Sequence, residues 1–133
     1  MTDSLICPFS KPIIGGWCQC EHANLAERCS GKMGCKKGTE NLQQCYQLVD
    51  LLKLKSRFVL GLDDQNRQLT HAQAMKIRCG GIRGMQRVLG FDDSVADIPW
   101  VIERTKACYT SLSNFPFSDI MPDIKAFNHR LKR

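Results

Sequence analysis

Cys7, Cys18, Cys20, Cys29, Cys35 and Cys45 crowd the first 45 residues of this 133-residue chain, while Cys79 and Cys108 stand apart. Thiolates bind soft metal ions, hold iron–sulfur clusters and exchange disulfides. The spacing is C-x10-C-x-C-x8-C-x5-C-x9-C. It contains no paired C-x2–4-C knuckle of the structural zinc type, and no C-x2-C-x2-C ferredoxin run. Irregular spacing suits an iron–sulfur core better than a single ion, because a larger core accepts ligands from separated loops. Zinc is the alternative. The densest set, Cys18, Cys20, Cys29 and Cys35, supplies the candidate ligands, with Cys7 next.

The surroundings of these thiols fit that chemistry. Glycines flank Cys18, Cys29 and Cys35, where tight turns can aim backbone N–H groups at sulfur. Pro8 follows Cys7, as a proline follows a cluster-ligating cysteine in bacterial ferredoxins. Lys11, Arg28, Lys32, Lys36 and Lys37 lie among the cysteines. Four thiolates on a [4Fe–4S] core or on zinc leave about two negative charges, which nearby cations offset. In an extended segment Cys18 and Cys20 point the same way, as two ligands of one centre would. His22 is a candidate for a mixed site, but reads first as a helix-start histidine. Trp17 either shields the thiols or anchors the core. Cys45, on a helical apolar face, reads as a small core hydrophobe. Cys108 reads the same way. Cys79 reads as core, with completion of the ligand set as its second role.

No acid–base or nucleophile constellation accompanies the thiols. The chain has no HExxH and no phosphate-binding G-x-x-x-x-G-K-[ST], and "GGIRG" lacks the strand-then-helix context of a dinucleotide site. The expected function is therefore a small metalloprotein with an iron–sulfur cluster on its N-terminal cysteines. It would act in electron transfer or in redox and oxygen sensing, with a redox protein as partner. Two other classes stay open. The net charge of +6 permits a nucleic-acid-binding regulator. Lys76, Arg83 and Arg87 fall within one quadrant of an ideal helix and would meet phosphates. A thiol redox or sulfur-carrier protein would instead use Cys18 and Cys20 as a reactive pair.

The start of the chain, with an acid in place of a basic n-region, reads as unprocessed and cytoplasmic. A disulfide framework is then disfavoured. No apolar run approaches the roughly 18–20 residues of a membrane span.

The elements that must position the thiols are helical. The length fits one domain, residues 1–133. Residues 1–38 are punctuated by proline and glycine and form an irregular cysteine-rich lobe, with one helical turn expected at "HANLAERC". Residues 39–133 form the bundle, so the fold class is all-α. Leu42, Cys45, Tyr46, Val49 and Leu52, then Leu54 and Phe58, trace a first helix, which Thr39 caps and Gly61 stops. A second runs from a capping box, Thr70 and Gln73, to Gly90. Its "CGGIRG" is anomalous, because each interior glycine costs about 1 kcal/mol relative to alanine. Either another element packs very closely there, or two helices join at Gly80–Gly81. Asp97 and Pro99 start a third helix, with Val101, Thr105, Cys108 and Leu112 on one face. "NFPFSDIMP" is a loop. A final helix over 123–133 turns Ile124, Phe127 and Leu131 inward.

Overall fold

Leu42, Cys45, Val49 and Leu52 recur at helical spacing, and all four are buried on one face of the first long helix. The computed structural model describes residues 6–24, 32–61, 69–91 and 95–128. It is mostly helical. In chain order it contains α1 (Ser10–Ile14), β1 (Cys18–Gln19), α2 (Thr39–Lys55) and α3 (His71–Met75). A π-helical turn (Lys76–Gly80) then leads into α4 (Gly81–Val88). β2 (Ala96–Asp97), α5 (Ile98–Tyr109) and α6 (Met121–Ala126) follow. The small sheet is an addition to the expected all-α class: β1 and β2 pair in parallel, Cys18 opposite Ala96 and Gln19 opposite Asp97. Strands of two residues are too short to show alternation.

α2 begins at Thr39, after Gly38 at φ 90°, so Thr39 is its first residue and makes no side-chain cap. The helix ends at Lys55, earlier than expected. Leu54 is exposed and Phe58 is 100% exposed, which corrects their inward assignment: the phase drift carries both off the apolar face. The capping box is present, with Thr70 Oγ1 accepting from the Gln73 N–H and Gln73 Oε1 from the Thr70 N–H.

The helix continues through Gly80 and Gly81, which decides between the two readings of "CGGIRG". A Cβ on Gly80 would lie 2.8 Å from Ile124 Cα and 2.9 Å from the Asp123 carbonyl oxygen. One on Gly81 would lie 2.8 Å from a Leu52 methyl. α6 and α2 thus press on adjacent bare positions, and the closeness offsets the propensity the glycines forfeit. α6 is also tied by charge. Lys76 Nζ donates to the carbonyls of Lys125 (2.9 Å) and Phe127 (2.6 Å). Arg87 holds the Asp123 carboxylate at 2.7 and 3.1 Å.

Asp97 caps α5, accepting from the Trp100 N–H at 3.2 Å, with Pro99 in the first turn. The fully buried Gln86 accepts from the Asp97 N–H at 2.8 Å and so fixes this start against α4. Val101 and Thr105 are buried, but Cys108 is exposed. This corrects its core assignment. The helix packs through Tyr109, whose ring meets Phe115 at 5.5 Å, while Lys106, Ala107 and Cys108 form an exposed run beside it. A 3-10 turn, Leu112–Asn114, leads from the end of the expected third helix into the expected loop, which holds a second, Phe117–Ile120, and the Phe115 and Phe117 rings pack edge to face at 5.2 Å. α6 is shorter than expected and ends at Ala126, with Ile124 and Phe127 buried. Leu131 and most of the expected "HANLAERC" turn lie outside the described residues. Among the described residues, no helix is long and apolar enough to cross a membrane.

Candidate metal centre

The segment before α2 is held in place by backbone bonds and a few buried polar side chains. Ser10 is the centre of one such knot: its hydroxyl donates to the Cys7 carbonyl at 2.6 Å and accepts from the Met33 N–H at 3.2 Å. The Cys7 N–H donates to the Met33 carbonyl at 2.8 Å. Two bonds reach over from the helices: Arg78 Nε donates to the Pro8 carbonyl at 2.9 Å, and the Tyr46 hydroxyl donates to the Ile6 carbonyl. Further along, Ala23 and Cys35 form an antiparallel bridge, with the Lys36 N–H on the His22 carbonyl at 2.7 Å. These bonds draw Cys7, Cys20 and Cys35 toward the buried face of α2, where Cys45 sits.

Every pair among Cys7, Cys20, Cys35 and Cys45 lies within electrostatic reach. Backbone or side-chain N–H groups stand near three of the four sulfurs, and those at Cys7 and Cys20 favour the thiolate form. The Phe9 N–H serves Cys7, the His22 and Ala23 N–H groups serve Cys20, and Asn41 Nδ2 serves Cys35 at 3.3 Å. A cavity of about 140 Å³ opens beside them between α2 and α5, and Cys20, Cys45, Asn41, His22 and Lys37 line part of it. Among the described residues, no three or more His, Cys, Asp or Glu side chains are placed to hold a metal ion.

Burial dominates the protonation of Cys7, Cys20 and Cys45. It pushes Cys7 up to about 11 and Cys45 up to about 12, with the neighbouring cysteines adding to both. Cys20 is also raised by burial, against the pull of its N–H donors. Desolvation disfavours the charged form, and each thiolate disfavours the next. Without a metal, Cys7, Cys20 and Cys45 are neutral thiols.

The sequence-derived candidates divide. Cys7, Cys20 and Cys35 come together. Cys18, buried on β1, hydrogen-bonds Cys79 on the π-helical turn, and that bond together with burial holds its thiol well above the ordinary range. Cys29 lies outside the described residues. Sequence reasoning placed Cys45 on the apolar face of its helix but did not see the other thiols opposite it. Trp17 packs on Cys79, Met75 and Phe127, edge to face with the last at 5.1 Å. His22 is near Glu21 at 3.7 Å. Of the basic trio, Lys76 and Arg87 are engaged by α6 and Arg83 is exposed. No family model, curated protein or solved structure matches the chain.

Proposed function

We propose that this chain is a small iron–sulfur protein whose work is electron transfer or redox sensing, with Cys7, Cys20, Cys35 and Cys45 as the ligand set. The observation that carries the reading is the grouping of these four thiols with N–H groups already near three of the sulfurs. Hydrogen bonds to cluster sulfur tune the reduction potential, and ligand orientation depends on such outer partners. The choice of a cluster over zinc rests on the irregular cysteine spacing, since a polynuclear core accepts ligands from separated loops. In this chain the neighbouring bonds orient the sulfurs, and Lys37 on the cavity wall offsets part of the negative charge.

Anaerobic purification, a visible absorption spectrum, and iron and acid-labile sulfide analysis test the proposal. The expected protein is brown, with iron and sulfide in similar amounts. Cys45→Ser loses most of the iron, while Cys108→Ser keeps it. A colourless protein holding zinc, or iron that survives Cys45→Ser undiminished, refutes the assignment.

A further inference from the structure

A second cavity, of about 270 Å³, lies between α1 and α3. Its walls include Pro8, Pro12, Ala74 and Met75, and its charged groups are Lys11, Lys32 and Arg78. Among the described residues no acidic side chain lines it. Arg78 is the telling one. It is half-buried on the π-helical turn, and desolvation lowers its pKa. Its Nε is spent on the Pro8 carbonyl, which fixes the plane of the guanidinium. Among the described residues no carboxylate lies within ion-pair distance of it, and Asp50 acts on it only from farther off. Its terminal nitrogens are not among the buried, unpartnered atoms, so they face solvent and stand open to an incoming acceptor. A planar fork of N–H donors matches the two oxygens of a carboxylate.

We propose that this cavity binds a small carboxylate with an apolar body, the carboxylate on Arg78 between Lys11 and Lys32, and the body on Pro12, Ala74 and Met75. Its volume lies just below the roughly 300–1,000 Å³ of small-molecule sites, which limits the ligand to a short chain or a single ring. The apolar walls favour a carboxylic acid over inorganic phosphate, whose whole surface is polar. The site stands without the iron–sulfur reading. It shares one wall residue, Cys7, with the thiol group, and its charge comes from outside that group.

Calorimetric titration of the full chain at low ionic strength tests this, with benzoate, butyrate, benzamide and inorganic phosphate as probes. The expected result is saturable one-to-one binding of benzoate or butyrate and none of benzamide. Arg78→Gln weakens binding about tenfold or more, as loss of a charge-assisted bidentate contact does. Lys11→Gln and Lys32→Gln, at exposed positions, weaken it less. Because Arg78 also anchors Pro8, Ala74→Leu provides a second variant: it fills the apolar half without touching charge, and it abolishes binding while the circular dichroism spectrum stays unchanged. Any of three results overturns the proposal. One is no saturable heat with either carboxylate up to about 10 mM, a weak-binding limit. Another is binding unaltered in both Arg78→Gln and Ala74→Leu. The third is tighter binding of phosphate than of either carboxylate.

Discussion

Gly80→Ala and Gly81→Ala are adjacent, chemically identical substitutions that the packing separates. In an open helix each would stabilise by about 1 kcal/mol, the difference in propensity. At Gly80 the new methyl carbon would stand 2.8 Å from Ile124 Cα and 2.9 Å from the Asp123 carbonyl oxygen. Ordinary carbon contacts are about 3.5–4.0 Å, so the backbone of α6 has to retreat by most of an ångström. It is not free to do so, because Lys76 and Arg87 both hold it. Overpacking costs about 1–3 kcal/mol, and a rigid backbone neighbour puts Gly80 at the upper end. The net destabilisation expected for Gly80→Ala is about 2 kcal/mol after the propensity gain. At Gly81 the methyl meets the δ-carbons of Leu52 at 2.8 and 2.9 Å. These end a rotatable side chain, so the cost falls near the lower limit and the net change is about zero. Urea denaturation followed by circular dichroism on wild type and both variants measures the difference. Equal stability of wild type and Gly80→Ala, or a larger loss for Gly81→Ala, refutes the close-approach argument.

Two further outcomes follow from the thiol environments. In metal-free protein at about pH 8, iodoacetamide modifies the exposed Cys108 well before Cys7 or Cys45, and Cys7 labelling rises with pH toward about 11; equal rates by peptide mass mapping contradict the burial argument. The same shift sets a stability window. An unfolded Cys7 ionises near 9 and the folded one near 11, so its contribution is full below 9 and is lost as pH rises through 11, about 3 kcal/mol in all. Asp97→Ala removes the acceptor for the Trp100 N–H and costs about 1 kcal/mol, whereas Asp97→Asn keeps an acceptor. Asp97→Asn also removes a negative charge that raises the Cys20 thiol, so Cys20 titrates at lower pH. Equal destabilisation by the two changes, with Cys20 unmoved, counts against both roles.

The helices were legible where local chemistry marks them. Thr70 with Gln73, and Asp97 with Pro99, are start signals that act within one turn, and both operate. The glycine anomaly was legible as a demand for close approach, though not as a π-helical turn. Partner and distance were beyond reach because α6 lies some forty residues away in the chain. The thiol grouping was half legible. Side-chain parity placed Cys18 beside Cys20, but parity holds only while the chain stays extended. β1 ends at Gln19, and the turn after it sends Cys20 toward Cys35 while Cys18 meets Cys79. Periodicity showed that Cys45 faces inward. It could not show what α2 faces, since that depends on loops stitched by Ser10, Arg78 and the Ala23–Cys35 bridge.

The reading of Cys45 as a core hydrophobe and its proposed role as a ligand are therefore not opposed; they describe one residue in two protonation states. A neutral thiol is apolar enough for a buried helix face, and burial holds Cys45 neutral to about pH 12. Ligation needs the thiolate, so an incoming centre must displace its proton. At pH 7 that costs about 7 kcal/mol at Cys45 and about 5 kcal/mol at Cys7, from shifted values of about 12 and 11. The apparent binding free energy of a thiolate site at pH 7 already contains such proton losses, which is why it depends steeply on pH. A chain built this way keeps a closed, neutral thiol core while empty. Its affinity for the centre falls steeply as the solution is acidified, because Cys7, Cys20 and Cys45 must each shed a proton that their surroundings favour keeping.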